Sequence, residues 1–289
     1  MDWLERCIPD PDHFLRTQWR QGPVLLRPDN PPTEVLTPDD LGELIDAGHL
    51  RTPYAGLFTA AGAVPEDRYC PPRIVAGRPL HGCLDPQRVR DLIRDENATL
   101  QLRYLNHWYP KVRELADGLG ERLERLTEVF MFYSQPQRRG PVHRDDGDIL
   151  VLQLAGAKHW QVYAGPTDAS WQPVREEDPG PVLLDTVVRA GELLYVPNGY
   201  AHTAWATDEG PSLHLTVTLR EAGAGHLRAQ LASVLAEGLE LPARPLDEAD
   251  LTRTAADLLG HLGARLAATT PAELVAAARR SAFSSRPAA

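Results

Sequence analysis

Cysteine, lysine and long apolar runs are all scarce in this 289-residue chain, and each scarcity removes a class of protein. The three cysteines, Cys7, Cys70 and Cys83, are odd in number and widely scattered. That pattern argues against a disulfide scaffold or a thiolate metal cluster and suits a reducing cytosol. No stretch approaches the roughly 18–20 apolar residues of a membrane span. The acidic opening MDWLERCIPDPDHF lacks the basic-then-apolar layout of a signal peptide. Excess basic charge is missing too. Thirty Lys and Arg against forty Asp and Glu give a formal charge of -10, which argues against general nucleic-acid or membrane binding. Lysine occurs only as Lys111 and Lys158, so the setting of each is informative. What remains, 43% hydrophobic and 24% charged, is the make-up of a soluble globular chain long enough for one large domain or two small ones. The expected location is the cytoplasm.

Three textures follow one another along the chain. Helices and short strands share the first part. PDHFLRTQWR reads as a helix capped by Asp10 or Asp12, and GPVLLRP as a strand. Thr37-Pro38-Asp39-Asp40 opens a second helix with a hydroxyl cap, an N1 proline and two carboxylates, and Gly48 closes it. WYPKVRELADGLGERLERL predicts a long amphipathic helix with Val112, Leu115, Leu119, Leu123 and Leu126 on one side. From residue 128 to about 219, six β-rich runs separated by Gly, Pro, Asp and Asn predict a sandwich or barrel. After residue 220 the sequence turns Ala- and Leu-rich and helical.

The chemistry-bearing residues lie in the β-rich part. In PVHRDDGDILVLQL, His143 and Asp145 sit two apart on extended chain, so both side chains share a face and can grip one ion. Roughly one His-x-Asp is expected by chance in a chain of this composition, so the pair alone is weak. In LLYVPNGYAH, Asn198-Gly199 signals a turn and His202 opens the next strand, where an imidazole either caps the turn or faces the His-x-Asp. Two imidazoles and one carboxylate match the facial triad of non-haem Fe(II) sites. Between the motifs, GAKHWQVY puts Lys158 inside an apolar strand, on one face with Trp160. Such a charge needs an anionic partner or a route to solvent. Trp160 and Trp205 read as core, His159 as outward-facing, and Asp146 and Asp148 as loop residues. Arg138 and Arg139 either attract an acidic group or belong to a solvated loop.

Taken in order, HRDDGDILVLQLAGAKHWQVY and AGELLYVPNGYAHTAWATDEGPSLHLTVTL resemble the JmjC-type oxygenases of the cupin superfamily, nearest to the ribosomal-protein hydroxylases. FLRTQWRQGPVLLRP, RIVAGRP and TLQLRYLNHWYPKVREL extend the resemblance over roughly residues 12–220. It implies a mainly β fold with flanking helices: a double-stranded β-helix (cupin/JmjC jelly-roll) core plus a C-terminal helical segment. The expected division is an oxygenase domain over 1–220, with an N-terminal helix-strand elaboration, and a dimerising helical segment over 221–289, the winged helix of relatives being absent or reduced. The resemblance also implies Fe(II) held by His143, Asp145 and His202, with 2-oxoglutarate and O2 as co-substrates. Lys158 matches the residue that binds the distal carboxylate of 2-oxoglutarate. Ser134 falls where relatives supply a hydroxyl or amide, with Tyr133 competing for that role. His214 either lines the co-substrate pocket or packs in the core. The expected reaction is hydroxylation of a protein or peptide side chain by a homodimer. Alternatives are a small-molecule or amino-acid tailoring hydroxylase, an N-demethylase, and a non-catalytic metal-binding cupin.

Overall fold

The computed structural model describes residues 2–136, 140–168, 171–244 and 247–284. Arg138 and Arg139 lie outside the described residues. The chain divides into two compact units, Met1–Leu123 with Thr127–Arg220, and Glu124–Leu126 with Glu221–Ala289.

Helices of the first unit start where the sequence offers caps. Asp2 caps α1 (Trp3–Cys7), and Asp10, followed by Pro11, caps α2 (Pro11–Thr17). Thr37 and Asp40 form a reciprocal capping box on α3 (Pro38–Asp46). Asp85 caps α4 (Pro86–Glu96). The long helix predicted from Trp108 is broken. A short α5 (Leu105–Trp108) ends before Tyr109, and α6 (Pro110–Leu123) begins at the proline. A residue before proline is sterically pushed out of the helical region, and Tyr109 is extended (φ -113°, ψ 109°). Leu126, expected on the helix, instead opens a strand, because the chain reverses at Glu124 (φ 53°).

The strands of this unit are β1 (Val24–Leu26), β2 (Ala55–Thr59), β3 (Gly62–Ala63), β4 (Arg73–Val75), β5 (Arg78–Leu80), β6 (Thr99–Leu102), β7 (Leu126–Ser134), β8 (Asp148–Ala155), β9 (Ala157–Tyr163), β10 (Val182–Arg189), β11 (Leu193–Val196), β12 (His202–Ala206) and β13 (Ser212–Arg220). The run ELLYVPNGYAHTAWA resolves into β11 and β12 on either side of the Asn198-Gly199 turn. Eight strands form a large sheet in the order β1-β11-β8-β13-β7-β6-β2-β3, and β10-β9-β12 form a small one. The pairings β1-β11-β8-β13 and β7-β6-β2-β3 of the large sheet, and both pairings of the small one, are antiparallel, and the two sheets together make the double-stranded β-helix.

Strand β8 shows how the sheets pack. Ile149 and Val151 join Leu194 and Val196 of the large sheet in a core with Trp160, Val162 and Val188 of the small sheet. Leu150, Leu152 and Leu154 point the other way, into a core with Leu4, Phe14, Leu115 and Leu119 of the helices. Burial on both faces explains why ILVLQL reads as a continuous apolar run rather than an alternating one. The barrel is therefore open to a ligand only where the interior is not filled by these side chains.

In the second unit, α7 (Ala224–Ala236) packs against both α8 (Glu248–Ala268) and α9 (Pro271–Ser284). Asp247 caps α8, and Arg265 pairs with Glu237. No residue of α7 or α8 is buried. No helix among the described residues is long and apolar enough to cross a membrane.

Candidate metal centre and co-substrate cavity

Backbone pairing brings the two halves of the triad together. His143 donates its N–H to the His202 carbonyl (3.1 Å), and His202 returns the bond to the His143 carbonyl (2.9 Å). This is the closely bonded pair of an antiparallel ladder. Asp145, two residues on, projects to the same side. Its Oδ1 lies 3.8 Å from His143 Nε2 and its Oδ2 lies 3.5 Å from His202 Nε2. The ligand atoms of all three residues fall within 4.8 Å of one another.

The protonation pattern suits a metal. His143 Nδ1 lies 3.3 Å from the Pro141 carbonyl, and His202 Nδ1 lies 3.1 Å from the Tyr200 carbonyl. A carbonyl accepts only a protonated nitrogen, so Nδ1 carries the hydrogen and Nε2 keeps its lone pair facing Asp145. Burial, reinforced by the neighbouring His143, pushes the His202 pKa down to about 4. The imidazole is thus neutral at pH 7, the form that binds metal.

Arg144 holds the loops from behind. Its neighbours in the sequence face the site, so alternation turns it the other way. There it donates to the Gly199 carbonyl (2.6 Å) and pairs with Glu176 (2.7 Å), while the Gly199 N–H donates to the Asp145 carbonyl (3.0 Å). Gly199 has φ +78°, and a Cβ there would lie 2.9 Å from the Trp171 ring, so the turn requires glycine. The role of Arg144 was missed in the sequence; its position between two same-face residues was the available signal.

A cavity of about 410 Å³ extends inward from the triad, lined by Lys158, Trp160, His214 and Phe132 among others. Lys158 is only 6% exposed, which rules out a route to solvent. Burial pushes its ammonium down to about 7. Among the described residues no carboxylate pairs with it; its polar neighbour is Ser134 Oγ at 3.5 Å. Ser134 is itself fully buried and bonded to Thr99 Oγ1 (3.0 Å). Tyr133 falls on the opposite face of β7 and packs into the helix-side core, which leaves Ser134 beside the lysine.

His214 lines the cavity, stacked on Phe132 with ring centroids 5.1 Å apart. Burial and the nearby Lys158 keep its pKa well below the ordinary histidine value. Trp160, expected in the core, does pack there but also turns its indole edge to the cavity. Trp160 Nε1 and His214 Nδ1 are buried without a hydrogen-bond partner in the protein. A buried cation and two unsatisfied ring nitrogens at one cavity leave polar groups that an anionic ligand would satisfy. The donor set therefore fits both a divalent metal and a carboxylate co-substrate.

His159 faces outward, as expected, and pairs with Asp185. Trp205 is not in the core; it is half-buried and stacks on His159 with centroids 4.2 Å apart, because the two are cross-strand partners on the outer face. Asp146 is exposed and pairs with Arg220, in keeping with a loop residue. Asp148 is the first residue of β8 and fully buried.

Residues 112–227 match the family model of the JmjC domain. Among curated proteins the chain is similar to ribosomal oxygenase 1 of Rattus norvegicus, at 28% identity over 237 residues, 75% of this chain and 36% of the relative. It is also similar to the bifunctional lysine-specific demethylase and histidyl-hydroxylase NO66 of Drosophila mojavensis, at 31% identity over 150 residues, 48% of this chain and 17% of the relative. Among solved structures, YcfD of Escherichia coli, a ribosomal oxygenase in complex with cobalt and 2-oxoglutarate, shares the fold with a TM-score of 0.54 at 19% identity, over 86% of this chain and 65% of that one. The chain spans about a third or less of the length of these curated relatives.

Proposed function

We propose that this chain is an Fe(II)- and 2-oxoglutarate-dependent dioxygenase that hydroxylates a side chain of a protein or peptide. The observation that carries the reading is the buried, carboxylate-free Lys158 in the same cavity as His143, Asp145 and His202. A metal-binding scaffold has no use for an unpaired buried cation, whereas a dicarboxylate co-substrate supplies its partner. His143, Asp145 and His202 hold the metal. Lys158, aided by Ser134, receives the distal carboxylate, and His214 borders the same ligand. When bound, the metal and 2-oxoglutarate supply oxidative decarboxylation coupled to oxygen insertion with O2. The chain's own part is to keep three neutral or anionic donors on one face, anchor the co-substrate and exclude water from the interior. The ribosomal oxygenases among its relatives support a protein substrate.

We further infer a homodimer formed through the C-terminal helices in the cytoplasm. Leu251, Leu259 and Leu266 of α8 are exposed, Leu259 by 70%, and recur at spacings of eight and seven that keep them on one side of the helix. A second copy supplies the apolar cover such a stripe lacks.

The functional test is turnover with purified protein, Fe(II), 2-oxoglutarate and host ribosomes, read as succinate released and as the mass of one oxygen atom gained by a ribosomal protein. An amino-acid and peptide panel runs in parallel. The expected outcome is substrate-dependent succinate that Asp145→Ala abolishes. Product only from free amino acids would reassign the chain to small-molecule tailoring, and an active Asp145→Ala would sink the mechanism.

A further inference from the structure

Asp148 lies three residues beyond Asp145, and its fully buried carboxylate accepts four hydrogen bonds. Oδ1 accepts from the Tyr195 hydroxyl (2.8 Å) and from the backbone N–H of Asn198 (3.2 Å). Oδ2 accepts from Arg20 Nε (3.1 Å) and Nη2 (2.9 Å). The donors come from three places: the segment after α2, the strand β11, and the turn that leads to His202. Each is itself fixed. The Arg20 N–H donates to the Tyr195 oxygen (3.1 Å), Trp19 stacks on the Tyr195 ring (centroids 5.2 Å), and Phe14 meets its edge (5.0 Å). Burial and the adjacent carboxylate push the Tyr195 hydroxyl well above the ordinary phenol range, which keeps it a donor.

We propose that Asp148 is a positioning residue for the metal centre, clamping the strand that follows the His-x-Asp to the turn that delivers His202. The proposal rests on the metal-site reading given above. Two contacts already join these loops on the far side, Gly199 N–H to the Asp145 carbonyl and Arg144 to the Gly199 carbonyl. Asp148 supplies the other side. With both sides held, the turn cannot pivot, and the distance from His202 to Asp145 is preset before any metal arrives. Asp148 is buried while its partner Arg20 is 38% exposed, and a buried carboxylate is a costly way to gain stability alone, since well-packed apolar side chains serve as well or better. Its value here lies in the direction of its four acceptor contacts, and outer contacts of this kind tune metal affinity.

The test is Co(II) titration of the full chain, followed by the d–d absorption of the bound ion, alongside circular dichroism and apoprotein melting. Asp148→Asn should stay folded and weaken Co(II) binding by about tenfold. Tyr195→Phe, which removes one of the four bonds, should weaken it about three- to fivefold. Arg20→Gln, which removes two, should fall between them. A merely structural role would lower the melting temperature of all three and leave the Co(II) affinity of the folded molecules at the wild-type value; that result overturns the proposal. If Asp148→Asn does not fold, the other two variants decide, and wild-type affinity in both is equally fatal. Asp145→Ala separates this from the underlying reading: wild-type Co(II) binding there would remove the triad itself, whatever Asp148 does.

Discussion

Lys158 Nζ lies 3.5 Å from Ser134 Oγ and 5.9 Å from the centre of the Phe132 ring, so the ammonium is set between a hydroxyl and an aromatic face rather than against a carboxylate. Desolvation without a counter-ion lowers its pKa from 10.5 to about 7. The site thus holds an energetic cost that an anion relieves, and the sign of that cost can be measured.

Replacing the lysine should stabilise the empty protein. The penalty of the buried charge is fully present below the folded pKa of about 7 and falls away as pH rises toward the unfolded value of 10.5. Lys158→Met should therefore raise apoprotein stability at pH 6 by about 1–3 kcal/mol, with a smaller gain at pH 9. Its affinity for 2-oxoglutarate should drop by at least about tenfold, the loss of a charge-assisted contact. Denaturant melts at the two pH values and calorimetric titration check both. A variant that is less stable yet binds normally would show that Lys158 is not the anchor.

Co-substrate binding should take up a proton. At pH 8 Lys158 is mostly neutral in the empty protein, and a carboxylate partner raises its pKa and recharges it. Calorimetry in buffers of different ionisation enthalpy should report uptake approaching about one proton per 2-oxoglutarate at pH 8 and much less at pH 6. A binding enthalpy independent of buffer at pH 8 would contradict a neutral lysine in the empty cavity.

Gly156 forms the turn between β8 and β9 with φ +64°, and a Cβ there would stand 2.0 Å from the Pro211 carbonyl oxygen. The obstacle is backbone and cannot rotate aside. Gly156→Ala should cost on the order of 2–4 kcal/mol, from a left-handed conformation together with a displaced strand neighbour. Equilibrium denaturation measures it; a loss under about 0.5 kcal/mol, the range of an ordinary surface change, would mean the turn relaxes freely.

Leu259→Glu probes the helical surface. The side chain is exposed within the chain, so the change should leave the melting of a monomer within about 0.5 kcal/mol. If α8 meets a second copy, sedimentation should show a dimer for the wild type and a monomer for the variant. A wild-type monomer at concentrations well above those used in assays would end the dimer reading.

Local signals were the ones legible from sequence. Thr37-Pro38 starts a helix because a cap and a proline act within one turn. The alternation of β7 puts Ser134 and Tyr133 on opposite faces, but only the packing of the sheet shows that Ser134 is the one beside Lys158. That His143, Asp145 and His202 come together was readable because each sits at a recognisable local feature, a two-residue spacing or a turn. What could not be read were relations set by distant backbone. Trp205 lies outside because its strand pairs with β9 in a register that puts it opposite His159. Arg144 and Asp148 act through partners 55 and 50 residues away, at the turn before His202. The break at Tyr109 was the exception, a local rule outweighed by a strong apolar period on both sides of a proline.

The reciprocal hydrogen bonds between His143 and His202 have a consequence for how such a protein changes over time. The spacing of the two imidazoles is inherited from sheet register, not negotiated by the rings or by the loops beyond them. The connection between β9 and β10 shares in that register, since Arg144 N–H donates to the Val174 carbonyl (3.2 Å) and Glu176 N–H to the Val142 carbonyl (3.0 Å), whereas lengthening the tip between β12 and β13, at Asp208 and Glu209, leaves it alone. A single residue inserted between His143 and Asp145, or at the start of β12, has the opposite effect: it turns a ligand to the outer face of the sheet. Tolerance and fragility therefore alternate along this chain over distances of a few residues, and a length scan through 140–211 would trace that boundary directly.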